Sequence, residues 1–398
     1  MSPHNPERAR LPVRRLAFAN QLRGVAAILV ACSHLLGVYW AVPQFVAAAT
    51  FSPVQTGVAP AAYDWVDDRW FQLGPFGVGL FFLISGLVIP YSLARHTRLT
   101  FLVARMLRIY PLFILALLIE LGVLYAAAYY WQRPFTYGAG TIVANLLLVA
   151  NLTGAPVIDF VNWTLTIELE FYLMVLLLAG VIRRGSILAL IGVAIGLVAL
   201  AVLIGRHPAG GDPSLGSRMI SGFGFELQYL VFMLIGVAFN FHNSGQLGTR
   251  GLLAGGAAMV LLFATAAAWG VAQPEYRVVA GNYCAALAVF GTLYAARHRI
   301  RDNRALDFVA SISFPFYLIH AVIGFTMIKI LMMVFHLNYD AALLGSIGAI
   351  TLIAYFLHRT IEEKTIGLGH RLSGRYRQTA SDVDDDHGVR IGRVRSEI

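Results

Sequence analysis

Of 398 residues, 58% are hydrophobic and only 13% are charged, with a mean hydropathy of +0.69. Water-soluble domains run at about 45–50% apolar and about 25% charged, so a soluble 43.5 kDa protein could not cover its surface with so few charges. Cytosolic hydrolases and disordered scaffolds are excluded. The net charge of +9 comes from scattered arginines and not from one basic stripe, so no nucleic-acid partner is expected.

A helix needs about 20 mostly apolar residues to span the hydrocarbon core. Residues 1–15 read as a basic cytoplasmic N-terminus ahead of the first apolar window, Leu22–Trp40, after which no small-x-small cleavage site follows. Arg23 and His34 lie in that window, eleven residues and about 16 Å apart, nominally on one helical face. Arg23 reads either as a snorkelling anchor or as a functional cation. His34 reads either as a packing hydrogen-bonder or as a general base, since imidazole titrates near neutrality.

The next window, Val78–Leu93, follows Gly74-Pro75-Phe76-Gly77-Val78-Gly79 and contains Phe81-Phe82-Leu83-Ile84-Ser85-Gly86. As a phosphate loop this is poor, because it has no lysine and no strand–turn–helix setting. The small residues suit close helix approach. Arg105 and Arg108, at i and i+3 before the window Ile109–Tyr130, share a face. They suit phosphate recognition, although the positive-inside tendency also places arginines there.

Thr141–Thr153 is too short to cross and reads as a re-entrant piece. Thr164–Ile182 begins at Trp163, and its Glu168, Phe171 and Tyr172 share a face. Glu168 is expected to orient or charge-stabilise His34. Four further windows run Ile187–Gly205, Met219–Phe241, Leu252–Val271 and Val278–Ala296. Val309–Phe335 carries Tyr317, His320 and Lys329, and Ala342–His358 is the last. Residues 365–398 read as a polar, disordered cytoplasmic tail, whose acidic run Asp382–Asp386 beside His387 is solvated rather than a metal site. Cys32 and Cys284 read as free thiols, and no bound metal is expected.

The fold class is therefore an all-α polytopic membrane protein of about ten transmembrane helices plus a short re-entrant segment, with its membrane domain at residues 16–364. Most of the 30 Lys and Arg then fall on the side of Met1, leaving Arg69, Arg133, Arg206, Arg218 and Arg277 on the other. This places both termini in the cytoplasm. The lipid bilayer is the first partner.

The ordered set Arg23-x10-His34, Phe81-Phe82-x-x-Ser85-Gly86, Arg105-x-x-Arg108, Trp163-x-Leu165-x-x-Glu168-x-x-Phe171-Tyr172 and Tyr317-Leu318-x-His320 resembles the acyltransferase 3 family of integral membrane O-acyltransferases, over Leu22 to about Lys364. Two departures stand out: Gly79 replaces a commonly acidic or polar residue, and threonine follows Trp163 where serine is usual.

The resemblance implies a bacterial inner-membrane enzyme with no permanently bound cofactor. It would move an acyl group, commonly acetyl, from cytoplasmic acyl-CoA such as acetyl-CoA to a hydroxyl. Acceptors would be cell-envelope or exported glycans, including polysaccharide and lipid-linked forms, or alternatively a macrolide-type small molecule. By position, His34 would be catalytic with Glu168 beside it, and Arg105, Arg108 and Arg23 would serve the donor. Ser85, Trp163, Tyr172, Tyr317 and His320 would line the substrate pocket. His34 would deprotonate the acceptor or be acylated itself. Some relatives carry a fused esterase-like domain, which is not expected here. The rival reading is a proton-coupled secondary transporter using Glu120, Glu226 and Lys329 as a relay.

Overall fold

The structure, a computed structural model, describes residues 16–66, 71–206, 214–271, 276–369 and 371–372. The basic N-terminus, Asp67–Trp70 and the acidic run with His387 lie outside the described residues. Among the described residues, nine helices are long and apolar enough to cross a membrane, or ten when one bent pair counts as a single span. The protein is a multi-pass, all-α membrane protein.

Chain order gives α1 (Ala17–Ala41), α2 (Leu73–Arg95), α3 (Arg98–Tyr130) and the short α4 (Ala139–Leu146). Then come α5 (Phe160–Leu177), α6 (Ile187–Arg206), α7 (Leu215–Asn243), α8 (Thr249–Trp269) and α9 (Val278–Ala295). The chain closes with α10 (Arg304–Ile319), α11 (Val322–Met333) and α12 (Tyr339–Gly369). α12 thus runs past the expected domain end at Lys364.

Polar side chains set several helix starts by accepting from free first-turn N–H groups. Thr97 does so for α3, Asn303 for α10 and Asn338 for α12. α5 pauses at Leu178 and resumes over Ala179–Arg184, which ends on Gly185 in the left-handed region (φ 63°). The segment read as re-entrant is indeed too short to span. It folds as α4 and a single turn, Ala150–Thr153, pinned by Asn145, which donates to the carbonyls of Thr141 and Pro156 and accepts from the Ile158 N–H.

The bundle centres on α2 and α7, its two most buried spans. In lipid, hydrophobicity does not drive helices together, and close backbone approach through small residues does much of that work. A Cβ on Gly86 would collide with the Met233 carbonyl, and one on Gly236 with the Leu83 carbonyl. Just beyond the crossing, Asn240 donates to the Leu87 carbonyl at 2.8 Å. The glycines of the Ser85-Gly86 motif region are therefore packing residues. Gly24 likewise brings α1 onto the Ala310 backbone of α10.

Two departures from regular helix bear on the site. Ser33–Val38 of α1 is a π-helix containing His34, a widening that recurs at functional positions. The window Val309–Phe335, expected as one span, bends by 75° between α10 and α11. The break falls at His320, whose ring Nδ1–H donates to the Tyr317 carbonyl at 2.7 Å. Cys32 and Cys284 are free thiols, Cys32 half-buried and Cys284 exposed on α9.

Candidate active site

A cavity of about 460 Å³ opens among α1, α2, α3, α5 and α10. Its contour along α2 runs from Val78 to Arg95, about 25 Å of helix. One end is basic: Arg23, Arg95, His96, Arg105 and Arg108 line it, with Asn20, Tyr91 and Ser92 among them. Ser85 and Glu168 lie between. The far end is walled by Phe81, Phe82, Thr164 and Tyr317.

The basic end is only partly satisfied. Arg23 donates to the Ala310 carbonyl at 2.9 Å, and its Nε has no partner; the Nε of Arg105 has none either. Arg105 stacks on the Tyr172 and Phe101 rings at 5.4 and 5.6 Å. The Tyr172 hydroxyl in turn donates to Glu168 Oε1 at 2.5 Å. Glu168 is thus the one carboxylate among the cavity's lining residues, and a buried charge persists only where opposite charge or hydrogen bonds compensate it.

The Tyr317 hydroxyl is hydrogen-bonded to Thr164 Oγ1 at 2.9 Å and donates to the Val161 carbonyl at 3.3 Å, while Phe81 packs edge-on to its ring. Behind Tyr317 stand two imidazoles. His34 Nδ1 lies 2.8 Å from His320 Nε2, and the ring planes are within 6° of parallel. His320 is completely buried. His34 is half-buried, with Phe160 edge-on at 4.9 Å. Phe160 leads outward to Phe45, which is 43% exposed. A chain of aromatic contacts thus runs from the imidazole pair to the surface at Phe45.

Of the residues singled out in the sequence, Arg23, Ser85, Arg105, Arg108, Glu168 and Tyr317 share this cavity. Tyr172 supports it from behind. Trp163 packs on Phe82 and Tyr229 and is not in the wall. His34 and His320 form a pair beside it. The expected contact of Glu168 with His34 is corrected: Glu168 is bonded to Tyr172, and His320 occupies His34 Nδ1. Glu168 projects toward the arginines, where its charge is matched. Sequence reasoning missed Arg95 and His96, which look like ordinary loop-edge charges, and Thr164, one turn before Glu168 on the same face.

A second polar cluster adjoins this region. The buried carboxyls of Glu120 on α3 and Asp159, just before α5, are close enough to perturb each other, an arrangement that favours a proton on one. Burial pushes the Asp159 carboxyl up to about 7, against the opposing pull of its bonds from the Val161 N–H and Glu120. No group of three or more metal-ligating side chains is found among the described residues.

The family described as an acyltransferase domain, Acyl_transf_3, matches residues 16–359. The chain belongs to the acyltransferase 3 family. All five sequence motifs fall within the matched stretch. Two curated relatives are similar: Nodulation protein 10 of Rhizobium leguminosarum bv. viciae, 35% identical over 143 residues (30% of this chain, 36% of that protein), and Acyltransferase MdmB of Streptomyces mycarofaciens, 27% identical over 216 residues (51% and 50%). The chain thus spans between a third and a half of the length of these relatives. No solved structure matches it.

Proposed function

We propose that the protein is an inner-membrane O-acyltransferase that moves an acyl group, acetyl in the first instance, from cytoplasmic acyl-CoA to a hydroxyl of an envelope or exported glycan. The observation that carries this reading is one cavity with two unlike ends: arginines with uncommitted buried donors at one, and an aromatic wall backed by an imidazole pair at the other. Arg23, Arg105 and Arg108 are planar donors suited to the donor's phosphates. The acyl-bearing arm would lie along Ser85 toward Phe81 and Tyr317. Positive charge on the arginine end, from Arg95 to Arg108 and again at Arg183, Arg184, Arg250 and Arg297–Arg304, supports a cytoplasmic side for that end and for both termini.

His34 then acts as general base. Its Nε2 takes the acceptor hydroxyl proton as the oxygen attacks the thioester carbonyl; the C–S bond breaks, and the CoA sulfur leaves with the proton that His34 returns. Direct transfer of this kind suits a donor and an acceptor that approach from opposite ends. The transporter reading loses its relay: Glu120 is paired with Asp159, Glu226 with Glu170, and Lys329 donates to the Pro53 carbonyl at 2.6 Å. Each group has its own partner, and among the described residues no chain of bonds links the three.

The test is to incubate labelled acetyl-CoA with membranes carrying the wild type or His34→Ala. Label moving onto glycan only with the wild type supports the proposal. Equal transfer by His34→Ala overturns it.

A further inference from the structure

The four atoms Tyr317 O, His320 Nδ1, His320 Nε2 and His34 Nδ1 permit only one proton arrangement with both rings neutral. A carbonyl oxygen carries no proton, so at 2.7 Å His320 Nδ1 must be the donor to Tyr317. A neutral imidazole has one N–H, so His320 Nε2 is a bare acceptor. At 2.8 Å from it, His34 Nδ1 must then carry the proton, and His34 Nε2 is left as the free lone pair. The arrangement is rigidly held. His320 is completely buried, and the Phe316 ring lies parallel to it on α10 at 6.0 Å. The hydroxyl of Tyr317 is itself tied to Thr164 and Val161, so the carbonyl that starts the chain sits on an anchored residue.

We infer that His320 is a positioning residue, which, through the Tyr317 carbonyl, fixes His34 in the tautomer with its basic Nε2 free, the role a buried carboxylate fills in hydrolytic triads. The inference rests on the proposed base role of His34 and names what orients it. The bend between α10 and α11 lies at this same residue, so the imidazole and its carbonyl partner sit where the helix turns. A neutral orienting partner also suits this depth, because the resting pair introduces no buried charge. When His34 Nε2 accepts a proton, the positive charge is shared along the same hydrogen bond.

The direct test is ¹⁵N-histidine NMR of the intact protein in detergent micelles, with the His34 signals assigned by their loss in His34→Gln. The expected result is His34 protonated at Nδ1 and bare at Nε2. A wild-type His34 protonated at Nε2 and bare at Nδ1 overturns the inference without recourse to an orienting variant. In kinetics, His320→Ala should lower kcat by about 10- to 100-fold, a part of what a general base contributes, while KM for acetyl-CoA changes by less than about twofold. His320→Gln, whose amide oxygen can accept from His34 Nδ1–H, should recover to within about tenfold of wild type. Wild-type kcat in His320→Ala overturns the positioning role. Activity in His34→Ala would instead overturn the base reading, and the tautomer measurement would still report on the pair.

Discussion

The two ends of the cavity solve opposite problems. At the arginine end, the buried Nε–H groups of Arg23 and Arg105 have no protein partner, and Glu168 is the one carboxylate in the cavity wall beside them. At the imidazole end the hydrogen bonds run in a relay from the Tyr317 carbonyl through His320 to His34 Nδ1. An under-satisfied end has donors to give to an anion, and an end whose orienting bonds are made, with only His34 Nε2 left free, has its geometry fixed before anything binds. The difference teaches that binding and reaction are separable here, and substitutions can drive them further apart.

The largest effect is expected at the matched end. His34→Ala should reduce acyl transfer by about 10²- to 10⁴-fold, the contribution of a positioned base, with acyl-CoA affinity little changed, as read by titration of the purified protein. Arg108→Ala or Arg105→Ala should do the converse. Losing a charge-assisted contact worth about 1.5–3 kcal/mol should raise the acyl-CoA KM by about 10- to 100-fold and largely spare kcat at saturation. Tyr172→Phe removes the hydroxyl bond to Glu168 while keeping the ring under Arg105. A net hydrogen bond is worth about 1 kcal/mol, so KM should rise by only a few-fold.

The smallest expected effect concerns stability and belongs to neither end. Because burial raises the Asp159 carboxyl to about 7 in the folded protein, the folded state binds a proton there that the unfolded chain releases above its ordinary value near 3.9. Its contribution is present at low pH and is lost as pH rises from about 4 through about 7. Asp159→Asn should remove that part of the pH dependence of thermal unfolding in detergent; an unchanged pH dependence would count against the buried pair.

The spans were legible because lipid imposes a simple condition, a run of apolar residues, and each window from Leu22–Trp40 to Ala342–His358 corresponds to a helix or a bent pair. The helices outrun the windows where polar caps lie beyond the hydrocarbon, as at Thr97 before α3. The bend at His320 was hidden, since Ala321–Gly324 continues the apolar run. In the site, the spacing Arg105-x-x-Arg108 foretold a shared wall. The partner of His34 was not foretold, because α10 is far from α1 in sequence and the π-helix Ser33–Val38 alters where the imidazole points. Residue type nominated Glu168 as the orienting group and His320 for the pocket wall, and the packing of α1 against α10 gives the contact with His34 to His320 instead.

The most direct test of the separation is one saturation curve: initial rates of label transfer to glycan against acetyl-CoA concentration, for membranes carrying wild type, Arg105→Ala/Arg108→Ala and His34→Ala. The account predicts that the arginine variant climbs toward the wild-type rate as donor rises, while His34→Ala stays flat. An arginine variant that remains inactive at saturation, or a His34 variant that turns over normally, would contradict it.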